Sequence, residues 1–284
     1  MTRTNGVSDA GNAELQVAPA LASMTALDRI RIVLVEPSHP GNIGAAARAM
    51  KVMGLSHLAL VAPRHADALT QSEAFALASG AVDVLEHATV HATLDDALAG
   101  TTHAIAMSAR EREFSPPLRS LRDAACEATG LVCNTASRAS AELVAFVFGS
   151  ERYGLSNDDV LRCQARCRIE TSEVYASLNL AQAVQLVAYE CRHAALASKA
   201  FVDSSPLAPT PSSSPALASH EEREALIDHC EQALIAIGYL DPDAPKKLMP
   251  RLRRLFARAR LESEEVQWLR GIAKAMLRAT KSEP

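Results

Sequence analysis

The sequence predicts an α/β protein in which helices flank a parallel sheet and a small all-helical unit follows. Three observations carry this. Apolar runs with strand character alternate with helical patterns, the signature of a parallel sheet. The segment from Asp203 to Ser219 holds four prolines and six serines, which cannot build a core and reads as a linker. Beyond it, apolar residues recur only at helical spacing.

Taken in order, residues 1–27 read as a polar flexible tail. Ile30–Val35 is an unbroken apolar strand that stops at a turn-rich loop with two prolines, Glu36 to Asn42. A helix is expected from about Ile43 to Met53, with Gly54 as its C-terminal cap. Further strands are expected at Leu58–Val61, His103–Met107, Leu143–Phe148 and Arg166–Ile169, and the clearest helices at Ser120–Thr129 and Ser177–Lys199. The boundaries are thus an α/β domain at 28–202, a linker at 203–217 and a helical domain at 218–284. Three helices are expected in the last, at about 218–237, 245–259 and 262–279. Ligands of parallel sheets bind beyond the carboxyl ends of strands, so the informative loops follow Val35, Met107, Phe148 and Ile169.

Composition narrows the class. Of 284 residues, 48% are hydrophobic and 22% charged, a globular balance. No run reaches the ~18 apolar residues of a membrane span, and the start lacks a basic-then-apolar leader, so a cytoplasmic protein without a membrane partner is expected. The six cysteines form no Cys-x-x-Cys pair, and Cys163 and Cys167 have no compact Cys/His set beside them, so reduced structural thiols and no metal are expected, with a zinc site as the weaker alternative. The formal net charge is −4, but what matters to a phosphate backbone is local concentration. Lys246–Arg260 contains seven basic residues and no acidic one, on a helix that also has an apolar face. Charge balance against Glu262, Glu264 and Glu265 is the plainer explanation of that run.

Four further segments could carry chemistry. EPSHPGNIGAAARAM, 36–50, is a strand–turn–helix connection whose two glycines do not make the Gly-x-Gly-x-x-Gly of a dinucleotide loop. Its Arg48 sits one turn past Gly44, where it can face an anionic ligand or simply solvent. Met107–Arg112 leaves a strand with small residues and then Arg110 and Arg112, which are phosphate ligands or a surface pair. Leu143–Ser156 ends a strand at Gly149 and closes its loop at Gly154, a pattern that favours backbone wrapping round a planar group. Tyr175–Ala183 opens a long helix, with Ser177 as an N-cap candidate and Asn179 free to bond a ligand. His39 has no assignable partner, and no nucleophilic triad fits.

Each segment is weak alone, but their order and spacing are not. EPSHPGNIGAAARAMKVMGL, MSARER, VFGSERYGLSN and YASLNLAQAVQLVAYE, with KKLMPRLRRLFARARLESEEVQWLRGI near the end, resemble the motif series of the TrmJ family. That family is a group of tRNA cytidine/uridine 2′-O-methyltransferases in the TrmH-like branch of the SPOUT superfamily. The resemblance spans about Arg29 to Ala197 and resumes in the C-terminal region. It implies a trefoil knot, a homodimer, S-adenosylmethionine as cofactor and the ribose at nucleotide 32 of tRNA, not DNA, as substrate. Carried onto this chain, it puts the cofactor at Met107, Ser108, Ala109, Gly149, Ile169, Ala176, Ser177 and Leu178. It gives Arg48 the central catalytic role, with Ser177 and Asn179 beside it. Arg110 and Arg112 are then candidates to position RNA, and Arg251, Arg253, Arg254 and Arg258 to bind it. The chain departs from the family pattern in a longer N-terminal tail, in Pro37 and Pro40 where other members can have threonine, and in its Ser/Pro-rich linker. A related enzyme acting on ribosomal RNA, or a non-catalytic RNA-binding protein of this fold, would carry many of the same features. A nicotinamide or nucleotide enzyme lacks its glycine fingerprint here.

Overall fold

The computed structural model describes residues 26–134, 143–204 and 216–280. The N-terminal tail therefore lies outside the described residues, except that Ala26–Arg29 forms a 3-10 turn and buries Leu27 in the core. Most of the linker lies outside as well, and its boundary shifts, because the preceding helix continues to Ser204.

Among the described residues, seven strands form one sheet: β1 (Ile30–Val35), β2 (His57–Val61), β3 (Thr89–His91), β4 (Thr101–Met107), β5 (Leu118–Ser120), β6 (Leu143–Phe148) and β7 (Ala165–Arg168). All pairs are parallel, in the order β3-β2-β1-β6-β4-β7-β5. The chain builds outward from β1 to β3, starts again with β4 and β5, then inserts β6 between β1 and β4 and β7 between β4 and β5. The helices of the domain are α1 (Pro40–Met53), α2 (Ser72–Ala78), α3 (Val82–Glu86), α4 (Leu94–Ala97), α5 (Leu121–Asn134), α6 (Asn157–Arg162) and α7 (Leu180–Ser204).

Alternation along β1 sorts the two faces. Ile30, Ile32 and Leu34 pack against Ile43, Ala46 and Met50 of α1 and against α5 and α7. Val33 and Val35 meet Leu94 and Leu98 near α4, and Leu155 and Val160 at α6, in a second, thinner core.

Helix α1 begins three residues earlier than the sequence pattern suggests. Pro40 takes its first turn, where the missing N–H has no intrahelical partner to lose, and Gly54 ends it at φ 85°. Gly44 is thereby helical rather than a turn residue. A Cβ there would collide with the Ala74 carbonyl oxygen, so glycine permits the close crossing of α1 and α2.

The helices α8 (His220–Ala236), α9 (Leu248–Ala259) and α10 (Ser263–Ala279) enclose a small core of Leu226, Ile227, Phe256, Leu261 and Val266. This unit docks on the sheet domain through polar contacts. Gly100 N donates to Glu221 at 2.8 Å, Arg223 donates to the Thr102 carbonyl at 2.9 Å, and His220 Nε2 lies 3.0 Å from Asp95. Among the described residues, no helix is long and apolar enough to cross a membrane.

Candidate active site

A cleft opens beyond the carboxyl ends of β4, β6 and β7, in the loops the parallel topology singles out. Met107, Ser108 and Ala109 form one wall, Gly149 to Glu151 another, and Ile169, Thr171, Ala176 and Leu178 a third. Of the residues assigned by resemblance to a cofactor, only Ser177 does not line it. Gly149 serves packing as well as access, because a Cβ there would collide with the Gly154 carbonyl carbon. The loop is thus folded tightly on itself, with Gly154 at φ 69° closing it.

Glu151 ties the loop after β6 to the loop after β1. Its carboxylate accepts from the Ser38 amide at 2.9 Å, the Ser38 hydroxyl at 2.7 Å, the His39 amide at 3.3 Å and Asn42 Nδ2 at 2.8 Å. Burial opposes its ionisation, but the hydrogen bonds from Asn42 and Ser38 outweigh burial and hold the carboxyl down at about 2. Sequence reasoning misses this residue, although a signal exists: it is the one acidic side chain between Gly149 and Gly154.

The network continues through Asn42, whose Oδ1 accepts from Asn179 Nδ2 at 2.8 Å. Helix α7 starts at Leu180, later than the Ser177 expected from sequence, and Asn179 caps it by accepting from the Ala181 amide at 2.9 Å. Asn179 is therefore committed to the cap and to Asn42, whereas Ser177 is exposed. Arg48 is also exposed, on the face of α1 toward α7, and makes no hydrogen bond or ion pair among the described residues. It lines a shallow depression with Val52, Gln182 and Gln185. Leu178 lines both that depression and the cleft, so the arginine stands on the other side of one side chain.

The SpoU rRNA Methylase family matches residues 29–189, and the tRNA methyltransferase TrmJ C-terminal domain matches residues 221–284. A TrmJ of Pseudomonas aeruginosa, a tRNA (cytidine/uridine/adenosine-2′-O-)-methyltransferase, is 44% identical over 87% of this chain and 93% of its own. The tRNA (cytidine/uridine-2′-O-)-methyltransferase TrmJ of Cronobacter sakazakii is 42% identical over 91% of this chain and all of its own. The chain belongs to the TrmJ family. The crystal structure of TrmJ from Z. mobilis ZM4 superposes with a TM-score of 0.71 at 34% identity, covering 87% of this chain and 98% of that one. A probable methyltransferase from Bordetella pertussis Tohama I, 48% identical, covers 60% of this chain and 98% of its own, with a TM-score of 0.55.

The cleft of this TrmJ-family chain fits S-adenosylmethionine, a flat purine joined to a cationic sulfonium. Ile169, Leu178 and Leu180 offer apolar walls, and Ser108, Ala109, Gly149 and Ala176 keep side-chain bulk low. Glu151 places an ionised carboxylate in the wall, which suits a cation. Burial pushes the Cys167 thiol in the cleft up to about 12, so it is not a nucleophile at neutral pH. Among the described residues, no group of three or more His, Cys, Asp or Glu side chains could hold a metal.

The remaining arginines divide. Arg112 donates to Ser108 Oγ at 2.8 Å and to the Leu155 carbonyl, bracing the cleft instead of facing outward. Arg253 grips Glu224 through both terminal nitrogens at 2.6 and 2.7 Å, which neutralises the charge a phosphate would meet. Arg110, Arg254 and Arg258 are exposed. Arg251 and Lys247 lie 5.5 and 5.7 Å from the ring centre of Phe114, tying the basic helix α9 to the loop after β4.

Proposed function

We propose that this protein, in the cytoplasm, methylates the ribose 2′-oxygen of cytidine or uridine at nucleotide 32 of the tRNA anticodon loop, with S-adenosylmethionine as methyl donor. One observation carries the reading: the cofactor-type loops converge on a single cleft, and an uncommitted arginine stands across Leu178 from it. Family membership supports the reaction class.

The donor supplies an already activated methyl group on its sulfonium. The protein's work is positioning, bringing the attacking oxygen to about 3–3.5 Å of the methyl carbon in line. Arg48 is not a literal base, because a guanidinium does not release its proton in a protein. Its planar fork holds an RNA phosphate and stabilises the charge that develops on the 2′-oxygen, while the proton leaves to phosphate or water. Asn179 and Asn42 fix the start of α7 against the start of α1, and so fix Arg48 relative to the cleft. Ser177, exposed at the mouth, is assigned to the entering ribose. Arg110, Arg251, Arg254 and Arg258 supply RNA contacts, and Arg112 and Arg253 hold the surfaces that present them.

Two architectural features belong to the same reading. The insertion of β6 and β7 between strands laid down earlier supports the trefoil knot that the resemblance implies. Exposed Val52 and Leu186, which share the depression with Arg48, together with exposed Tyr189, Val174 and Tyr175, support a homodimer.

The test is methyl transfer from labelled S-adenosylmethionine to unmodified tRNA, with nucleotide mapping and an Arg48→Ala control. Label on the ribose of nucleotide 32 that disappears in the control is the expected result. Cofactor binding with no transfer to tRNA overturns the assignment.

A further inference from the structure

A second cleft opens next to the first, at the loops that follow β1, β2 and β6. It shares Ser150 and Glu151 with the cofactor-type cleft and carries Glu36, His39, Arg64, Arg152 and Tyr153. Neither the sequence motifs nor the mechanism above gives these last five a role.

Three features make it a built site. First, Tyr153 is 74% exposed, with the Arg152 guanidinium carbon 5.2 Å from its ring centre. A large aromatic ring left in solvent beside a cation is a stacking platform for a nucleobase. Second, Arg64 and Arg152 are exposed and make no ion pair among the described residues, so both charges are available to a phosphate. Third, the backbone that presents them is held firmly. Glu36 and Ala62, each just past the end of its strand, sit at φ 49° and 43°, a left-handed conformation that non-glycine residues adopt only when their surroundings enforce it. The Glu36 amide donates to Val61 at 2.8 Å and the Arg64 amide to Pro37 at 3.1 Å, which locks the two loops together.

We infer that this cleft binds the RNA nucleotide next to the one whose ribose is methylated. Its base stacks on Tyr153 and its phosphate meets Arg64 and Arg152. Glu36 repels a phosphate near itself and accepts from base N–H groups, so it orients the base edge. The shared wall at Ser150 and Glu151 sets the spacing: one nucleotide at the methyl donor, its neighbour here. This inference rests on the proposed RNA substrate but not on the transfer reaction.

Unmodified tRNA transcript is titrated against the full chain by filter binding at several salt concentrations, with methyl transfer and S-adenosylmethionine calorimetry run in parallel. Tyr153→Ala is expected to weaken tRNA binding about tenfold. Tyr153→Phe, which keeps the ring, restores it. Arg64→Gln lowers the slope of log affinity against log salt by about one, as loss of one phosphate contact requires. Cofactor affinity stays unchanged in all three variants. Wild-type affinity and salt slope in Tyr153→Ala and Arg64→Gln would overturn the inference. Wild-type protein that binds tRNA but transfers no methyl refutes the activity alone, and the subsite is then judged on the same affinities. No tRNA binding by the wild type overturns both.

Discussion

Two carboxylate networks organise this molecule, and they are built from different partners. Glu151, in the cleft, is held by two hydroxyl and amide side chains and by backbone N–H groups, all of them neutral. Asp95, at the seam with the helical unit, is held by Arg162 at 2.9 Å and His220 at 3.0 Å. Glu127, which also reaches the helical unit, meets Arg119 at 3.0 Å and Arg260 at 3.1 Å. Neutral donors stabilise a carboxylate without cancelling its charge, whereas a guanidinium cancels it. The cleft therefore presents a net negative wall to a cation, and the seam joins two domains with little residual field.

The largest effect that would break this contrast is expected for Glu151→Gln. Losing an ionised acceptor of this kind costs about 1.5–3 kcal/mol. Part of that loss should reach the cofactor, because the wall is no longer charged: S-adenosylmethionine affinity should fall about tenfold by calorimetry. The same variant has a pH signature. The folded carboxyl of Glu151 is lowered from 4.5 to about 2, so its contribution is fully present above about pH 4.5 and is lost as pH falls toward 2. Urea midpoints of wild type and variant should differ at pH 7 and converge over that window.

At the seam, the hydrogen bond from His220 comes first, then Arg162, and together they overcome burial to hold Asp95 at about 2. Asp95 is partly solvated, so screening reduces what this contributes. Asp95→Asn is expected to lower stability by about 1 kcal/mol, with cofactor affinity unchanged. Limited proteolysis would show faster cleavage between the two units, and unchanged cleavage would remove Asp95 from the docking account.

A smaller effect comes from His103, buried on β4. Burial lowers it from 6.5 to about 4, against the opposing pull of Glu127, which is too far for a hydrogen bond at 3.7 Å. The unfolded chain then binds the extra proton first, so stability declines as pH falls from 6.5 toward 4. His103→Asn should flatten that slope in urea titrations, and an unaltered slope would show that another group sets it.

The fold is readable in the sequence wherever apolar residues run continuously. β1, β4 and β6 are buried on both faces and declare themselves, as do α1 and α7. β3 and β5 escape because each has three residues at a sheet edge, with too little apolar pattern to register. The short helices between β2 and β4 escape for the same reason. In the site, small residues mark the cleft walls, but side-chain commitments are not legible. Sequence alone does not distinguish the free Arg48 from Arg253, which is bound to Glu224 from another helix. Nor does it show that Asn179 caps α7 while bonding Asn42, since that contact joins residues far apart in the chain.

The most direct measurement is single-turnover methyl transfer by Arg48→Lys at saturating tRNA, with cofactor affinity measured on the same sample. Arg48 stands across Leu178 from the cleft and makes no hydrogen bond or ion pair among the described residues. The account therefore predicts unchanged S-adenosylmethionine affinity and loss of most transfer, about a hundredfold, because lysine keeps the charge but not the planar fork. Near-normal transfer in this variant would contradict it.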